Sequence, residues 1–306
     1  VVVLRIIIIL ADIGILFYGR KLLRKLKLPE YQIFWYVLNP FIIIEMTGNL
    51  HFESVMLFFM VVALYLLVCR RWVLSGIFFA ASISVKLIPL MLLPLLLQFI
   101  LSRPTAVFRY TQLLQHPRQI INRVPRLITF YSVTLGVVVF SFLPFLEGPF
   151  YDNFGASVAL WFQKFEFNAS IYYIIRWIGF QTIGWNIIAD VGKILPLIVT
   201  GFILAIAVVR KNSDAQAMIT AMLLSISVYF LLATTVHPWY IATPLLLGIF
   251  TRYRFPLLWS LMVFLSYSAY GGEGFEEHLG LILIEYLTVI GLAIYEMSYP
   301  RQRPIF

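Results

Sequence analysis

The sequence predicts an all-α protein: a polytopic transmembrane helical bundle of about 10–11 membrane segments that include a short re-entrant or hairpin pair. Hydrophobic residues make up 61% of the 306 residues and charged residues only 12%, and the mean hydropathy is +0.92. Apolar runs of about 17–25 residues recur, which is the length that a helix needs to cross the hydrocarbon core. Short clusters of Lys and Arg separate these runs, as in cytoplasmic loops. The whole chain, 1–306, is therefore predicted to be a single transmembrane domain.

The apolar runs place the crossings in order along the chain. We predict them at 1–19, 31–47, 53–69, 127–146, 192–209, 217–235, 239–250, 256–270 and 279–297. The run 72–101 lies between two basic clusters, so it must turn back within the membrane or at its far face. Its middle contains Lys86 and Pro89, and proline interrupts a helix. We expect two short crossings or a re-entrant hairpin, with Lys86 pointing outward.

The basic clusters predict the orientation of the chain in the membrane. Six clusters hold 18 of the 23 basic residues, and we place all six on the cytoplasmic side. They are Arg20, Lys21, Arg24, Lys25 and Lys27; Arg70 and Arg71; Arg103, Arg109, Arg118, Arg123 and Arg126; Arg210 and Lys211; Arg252 and Arg254; Arg301 and Arg303. The net charge of +9 is thus explained by loops facing an anionic leaflet, and no nucleic-acid partner is expected.

The same alternation places four polar stretches on the exoplasmic side: 47–53, 145–191, 237–240 and 271–278. The longest of them, 145–191, is too polar at intervals to cross a membrane, and its aromatic residues are interleaved with charges. This composition suits helices that lie in the plane of the membrane interface. We therefore predict an exoplasmic interfacial helical segment that forms a lid or platform.

The stretch TGNLHFE carries three polar side chains, Asn49, His51 and Glu53, between two apolar runs. One interpretation is a solvated helix cap in which Asn49 or Glu53 meets free backbone N–H groups. The other is a cleft for a charged headgroup, since histidine can donate to a phosphate or relay a proton near neutral pH. His51 and Glu53 also suit a metal, but a third ligand at a fixed spacing is missing. We predict no cofactor and leave a divalent metal open.

Lys86 places an ammonium group in an otherwise apolar run. Such a charge costs about 2.5–3.5 kcal/mol at the bilayer centre on insertion scales. The long side chain can reduce this cost by extending to the membrane surface. At the turn of a hairpin it would instead be a point-charge partner for a lipid-linked phosphate.

Three further residues are candidates for the exoplasmic site. Arg5 lies near the exoplasmic end of the first helix, seven residues before Asp12, for which we expect a structural ion pair. His237, in TTVHPWY, is either packed among aromatic rings at the interface or part of the site. Arg176 can pair with Glu166 or bind phosphate.

Four motifs follow one another along the chain: LNPFIIIEMTGNLHFESVMLFFMVVALYLL, SISVKLIPLMLLPLLL, FEFNASIYYIIRWIG and HPWYIATPLL. On these motifs the sequence resembles the bacterial integral-membrane glycosyltransferases of the GT-C superfamily, in particular the mannosyltransferase-like branch related to the GPI and polyprenol-dependent mannosyltransferases. The resemblance implies many transmembrane helices in the bacterial inner membrane and an active-site cleft facing the periplasm. It also implies transfer of a hexose, with mannose favoured, from a polyprenyl-phosphate-linked donor to a lipid or glycan acceptor.

The resemblance also assigns roles. In such enzymes the catalytic carboxylate usually lies in the first exoplasmic loop. The chain opens without Met on VVVLRIIIIL, inside an apolar helix, so we expect an N-terminal helix and that loop, with its Asp or Glu, to precede Val1. Lys86 is the first choice for the donor phosphate. The other expected substrate-binding residues are Arg5, Arg176 and His237 for the phosphate, His51 and Glu53 for the sugar or acceptor, and Asn49 beside them.

Two other classes of protein stay open. A multi-pass transporter or lipid flippase would place broken helices and ionisable residues at the bilayer midplane, and Asp12 and the run 72–101 fit that pattern. However, no internal repeat is visible, and most of the unusual polar residues fall at the exoplasmic edge. The other class is a non-catalytic membrane subunit, whose partners would be unidentified membrane subunits.

Overall fold

The computed structural model describes residues 1–102, 121–146, 148–271 and 274–299. These residues are mostly helical, and the β-structure among them is an isolated bridge between Phe167 and Thr235. The α-helices are α1 (Val2–Lys25), α2 (Phe34–Val37), α3 (Pro40–Ile42), α4 (Glu53–Val68), α5 (Trp72–Val85), α6 (Leu97–Leu101), α7 (Val124–Phe142), α8 (Phe150–Gln163), α9 (Ile171–Thr182), α10 (Ile188–Val209), α11 (Ala215–Leu232), α12 (Ala242–Ile249), α13 (Phe255–Met262) and α14 (Leu279–Ser298). The predicted all-α class is confirmed.

Within the described ranges, five helical segments are long and apolar enough to cross a membrane. They are α1, Val124–Phe145, α10, α11 and α14. A sixth crossing results if Pro40–Gly48 and Glu53–Val68, which meet at a bend of 115°, form one span. The shorter apolar helices are Trp72–Val85, Ile88–Leu101, Pro238–Ile249 and Phe255–Tyr270. The predicted total of about 10–11 segments counts these shorter helices together with the long ones.

The prediction of one continuous crossing at 31–47 is wrong. This stretch is divided into a 3₁₀ helix (Glu30–Ile33), α2, α3 and a π-helix (Ile43–Gly48). The break falls at Asn39, whose backbone is extended and whose side-chain oxygen accepts a hydrogen bond from the N–H of Phe41 at 3.0 Å. Because Pro40 has no N–H, the Asn-Pro pair ends one helix and begins the next.

The run 72–101 turns at Lys86, as the sequence predicts. Lys86 is extended (φ −150°, ψ 140°) after the end of α5, and a 3₁₀ helix then covers Ile88–Leu96. Helices α4 and α5 pack antiparallel, since Ser75 donates to the carbonyl of Ala63 at 2.9 Å and Ser82 to that of Met56 at 2.8 Å. This arrangement brings the end of α5 beside the start of α4.

Side-chain contacts gather the basic clusters at one end of the bundle, which we call the basic end. Arg70 donates to the carbonyl of Phe99 at 3.1 Å, and Arg123 donates to that of Leu101 at 2.6 Å. Gln98 donates to the carbonyl of Arg210 at 2.7 Å. Five residues of the predicted clusters lie outside the described residues: Arg103, Arg109, Arg118, Arg301 and Arg303.

The stretch 145–191 contains α8, α9 and the beginning of α10. Neither α8 nor α9 is among the candidate membrane spans. Their position in the membrane interface stays a prediction. Glu147 and the side chains of Trp161 and Phe162 lie outside the described part of this segment.

Candidate functional site

Three segments meet at the end of the bundle opposite the basic end: the bend before α4, the turn after α5 and the stretch 237–240. They join a set of side chains that we call the polar cluster: Glu45, Asn49, His51, Glu53, Lys86, His237 and Trp239. Five of its members were predicted as site residues from the sequence, and they come from stretches that lie far apart along the chain. The fold thus concentrates polar groups at one place on this end.

Lys86 and Glu53 form the ionic centre of the polar cluster. The ammonium Nζ of Lys86 is in direct contact with Oε1 of Glu53 and lies 5.9 Å from the centroid of the Tyr240 ring. The Glu53 side chain is 0% exposed and that of Lys86 is 29% exposed. The solvated-cap interpretation is therefore wrong for Glu53. The charge of Lys86 is compensated by this buried carboxylate.

Three aromatic rings form a stack beside this ion pair. The Trp239 ring is 3.8 Å from that of His51 and 4.4 Å from that of His237, with interplanar angles of 19° and 10°. His51 thus has one face held by the indole ring and its edge directed toward the rest of the cluster. Sequence analysis identified both histidines but not Trp239 as the residue that joins them. The sequence feature that could have identified Trp239 is its position between His237 and an apolar run, at the depth of the membrane interface.

Glu45 is a member of the polar cluster that sequence analysis missed. Its carboxylate is fully buried and accepts hydrogen bonds from Tyr267 at 2.8 Å and from Asn49 at 3.3 Å. Its Oε2 lies 3.9 Å from Nε2 of His51. The π-helix Ile43–Gly48 carries this residue, and π-helical turns are frequent at functional sites. The Glu45 carboxylate therefore lies beside the Nε2 edge of the His51 ring.

Arg5 lies at the edge of the polar cluster. Its guanidinium donates to the carbonyls of Thr47 at 3.0 Å and Gly48 at 3.4 Å, at the C-terminal end of the π-helix. Asp12 does not form the expected ion pair, since the salt bridges within the described residues leave it out. The guanidinium of Arg5 contacts the carbonyls of Thr47 and Gly48 and not the carboxylate of Asp12, which explains the wrong prediction.

Arg176 is not in the polar cluster. It forms an ion pair with Glu166, as the sequence suggested, and stacks 4.2 Å from the Tyr173 ring. Asn186 also donates to Glu166. Because its charge is paired, Arg176 stabilises the joint between the stretch 165–170 and α9 rather than facing the cluster.

The stretch 165–170 connects this joint to His237. Backbone hydrogen bonds join Phe167 to Thr234 at 3.1 Å and to Val236 at 2.8 Å. The Phe167 ring lies 5.2 Å from that of His237. The aromatic segment predicted as a lid therefore packs directly against one face of the three-ring stack.

A separate cleft lies away from the segment 145–191. A cleft of about 1400 Å³ runs between residues 31–41 on one side and residues 245–264 and 292–299 on the other. Side chains from the aromatic-rich segment do not line it. The stretch 165–170 of that segment packs against the three-ring stack instead.

The described residues contain no group of three His, Cys, Asp or Glu side chains placed to hold a metal ion. His51 and Glu53, the two metal-ligand types noted in the sequence, are held by Trp239 and Lys86. A divalent metal, which the sequence leaves open, has no ligand set of three such side chains among the described residues.

The two imidazoles predict a loss of stability in acid. Burial, and after it the positive charge of Lys86, lowers the pKa of His51 and that of His237 from 6.5 to about 4. A proton relay by His51 near neutral pH does not fit this pKa. Between these two values the unfolded chain binds a proton on each ring and the folded protein does not. The contribution of the two neutral rings to the free energy of unfolding is therefore fully present above pH 6.5 and is lost as the pH falls from 6.5 towards 4.

Thermal unfolding of the detergent-solubilised protein at pH 7.5, 6.5, 5.5 and 4.5 measures this effect. We expect the transition temperature to fall with pH in the wild type. A variant with His51→Gln and His237→Gln should fall less steeply. Parallel curves for the two proteins would contradict the assignment to these rings.

One family model matches the chain: MptA_B family, alpha-(1->6)-mannopyranosyltransferase, N-terminal domain, over residues 1–102. The matched residues include Arg5, Asn49, His51, Glu53 and Lys86, but they make up one third of the chain. Searches of the curated proteins and of the solved structures gave no match. The match supports a glycosyltransferase with mannose as its sugar, in a multi-pass membrane protein.

Proposed function

We propose that this protein is an integral-membrane glycosyltransferase of the GT-C type that moves a hexose, mannose in the first instance, from a polyprenyl-phosphate donor to a lipid or glycan acceptor. The reaction takes place on the exoplasmic face, which is the periplasmic side of a bacterial inner membrane. The observation that carries the proposal is the polar cluster. It joins a partly exposed cation, a buried carboxylate and an imidazole stacked on an indole ring, at the end of the bundle opposite the basic end.

Lys86 supplies the phosphate-binding charge. Its ammonium is partly exposed at the turn of a hairpin, while its partner Glu53 is fully buried. Glu53 holds the ammonium in place, and the side chain of Lys86 remains 29% exposed, so that an anion can approach it. In a water-poor site a positioned cation stabilises a developing phosphate charge more strongly than it would in water. Arg5 lies at the edge of the same cluster and adds a second positive charge.

His51 positions the sugar. Trp239 holds one face of its ring, and Glu45 lies near its Nε2. Burial lowers its pKa to about 4, so the imidazole is neutral at physiological pH and has one donor and one acceptor nitrogen. A neutral, immobilised imidazole of this kind suits hydroxyl groups, which both donate and accept hydrogen bonds.

The transfer needs three groups at one place. The acceptor hydroxyl attacks C1 of the sugar, the bond from C1 to the phosphate oxygen breaks, and the hydroxyl proton passes to a carboxylate. Lys86 stabilises the departing polyprenyl phosphate. Glu45 and Glu53 are both fully buried and engaged by neighbours, so we assign the general base to neither of them.

Transfer of radiolabelled mannose in membranes of cells expressing the protein tests the reaction. We expect label to pass from polyprenyl-phosphate mannose to a lipid-extractable or glycan product, and no transfer when a nucleotide mannose is the donor in membranes freed of polyprenyl phosphate. Absence of transfer from every lipid-linked donor, with the protein folded, would overturn the proposal and favour the transporter, flippase or subunit classes.

Cysteine labelling tests the side of the membrane. Phe275, which packs against Phe167 beside the polar cluster, and Arg71, in a basic cluster, are both exposed. In a Cys69→Ala background, an impermeant maleimide should label the Phe275→Cys variant in cells with a permeabilised outer membrane. The Arg71→Cys variant should react only after the inner membrane is opened. The reverse pattern would place the polar cluster in the cytoplasm and exclude an exoplasmic reaction.

A further inference from the structure

The cleft of about 1400 Å³ is separate from the polar cluster. Its lining begins at the basic end with Arg252 and Arg254 and reaches Phe41 and Phe264 toward the other end. Residues of the polar cluster do not line it. The cleft therefore needs an occupant of its own rather than an extension of the sugar-transfer site.

Its size and walls indicate an aliphatic ligand. Small-molecule pockets are usually about 300–1,000 Å³, and this cleft is larger. Its walls carry large apolar and aromatic side chains that stay exposed, including Leu38 at 65%, Leu261 at 66% and Trp35 at 59%. In a membrane such surfaces are covered by hydrocarbon chains.

The charged groups of the cleft lie at one end only. Arg252 is exposed and donates to the hydroxyl of Tyr253 at 3.2 Å. Among the described residues it takes part in no salt bridge. Among the described residues that line the cleft, the carboxylate is that of Glu296, which accepts hydrogen bonds from the backbone N–H groups of Arg254 and Phe255 at 2.9 and 3.1 Å. The end of the cleft that contains Arg252 and Arg254, which we call its mouth, therefore carries positive charge. The Glu296 carboxylate is already hydrogen-bonded to backbone N–H groups.

Tyrosines complete this mouth. Tyr295 and Tyr299 line it from α14 and the residue after it, and Tyr31 lines the opposite wall. Tyrosine is enriched at the depth of lipid headgroups, where an apolar ring meets a polar surface. A basic pocket between transmembrane helices with such a rim matches the headgroup of an anionic phospholipid.

We propose that the cleft binds an anionic phospholipid from the leaflet at the basic end. The phosphate pairs with the guanidinium of Arg252, and the acyl chains lie along the wall formed by Trp35, Leu38 and Leu261. The site is selective for negative lipids over zwitterionic ones, since the guanidinium meets a headgroup charge that the second class neutralises internally.

Native mass spectrometry of the full chain, purified in a mild detergent and equilibrated with phosphatidylglycerol or phosphatidylcholine, tests the proposal. We expect one phosphatidylglycerol to be retained in preference to phosphatidylcholine. Arg252→Gln should weaken this retention about fivefold, in line with one basic residue near an anionic lipid, while Arg252→Lys should retain most of it. Lys211→Gln is the matched control, because Lys211 is an exposed basic residue at the same end and does not line the cleft.

Each of three results would overturn the proposal: equal retention of the two lipids, an Arg252→Gln variant that binds like the wild type, or equal weakening by Lys211→Gln. Displacement of the bound phosphatidylglycerol by polyprenyl phosphate would also overturn it, since the cleft would then hold the donor tail. The first three results leave the sugar-transfer proposal untouched.

Discussion

Lys86→Ala should lower the rate of sugar transfer about 10²–10³-fold, as does the loss of a positioned group that stabilises transition-state charge. Lys86 is the cation of the polar cluster, and its side chain is partly exposed, whereas its partner Glu53 is fully buried. Turnover of polyprenyl-phosphate mannose at saturating donor and acceptor measures the loss. Lys193→Ala removes an exposed lysine on α10, outside the polar cluster, and should leave turnover close to the wild-type value.

The same substitution also affects stability, and a second variant separates the two effects. Removing Lys86 leaves the buried Glu53 carboxylate uncompensated. For a fully buried ion pair this costs about 3–5 kcal/mol, and the 29% exposure of Lys86 makes the cost smaller here. The double variant Glu53→Gln with Lys86→Met carries neither charge, so it should recover most of the lost stability but no activity. Recovery of transfer in the double variant would show that Lys86 acts on stability alone.

Asn168→Ala should have the second-largest effect, on stability and through it on activity. Asn168 is fully buried with φ +46°, a left-handed conformation that asparagine tolerates better than alanine. Its amide donates to Glu285 at 3.3 Å, its N–H to Glu277 at 2.6 Å, and its carbonyl accepts from Tyr286 at 2.7 Å. Losing the amide contact and the favourable backbone residue together costs about 2–4 kcal/mol.

Because the stretch 165–170 packs against His237, this substitution should also reduce transfer in proportion to the loss of ordered protein. Thermal unfolding in detergent measures the stability, and transfer per total protein measures the activity. Asn153→Ala on the exposed face of α8 is the control and should change neither. An Asn168→Ala variant with wild-type unfolding would show that the polar contacts around Glu285 contribute little to the fold.

The sequence predicted which residues lie at each end of the bundle, because charged side chains are costly inside a membrane. This cost applies to each loop separately, so it can be evaluated without knowledge of the tertiary fold. It also predicted the turn at Lys86, since Pro89 interrupts the helix locally. It did not predict the ion pair of Lys86 with Glu53, which depends on how α4 and α5 pack. The break at Asn39 was overlooked because the flanking runs are apolar on both sides, and apolarity alone cannot distinguish one helix from two.

The residues of the candidate site show the same division. Asn49, His51 and Glu53 were identifiable because polar side chains are rare in this chain. Glu45 was not, because a single carboxylate near the end of an apolar run has no local partner in the sequence, and its hydrogen bond from Tyr267 spans 222 positions. Trp239 looked like one of many interfacial aromatics, and only the packing of two distant segments places it between two histidines.

The Lys86–Glu53 pair bears on how the chain is made. Both charges belong to consecutive helices, so α4 and α5 can leave the ribosome and enter the bilayer as a hairpin whose two charges already neutralise each other. Each charge alone would resist insertion into the hydrocarbon region, where an unpaired ionised side chain is costly. The residues that complete the polar cluster, His237 and Trp239, are synthesised much later and find the ammonium already in place. The ionic centre can therefore form before the aromatic stack that lies beside it.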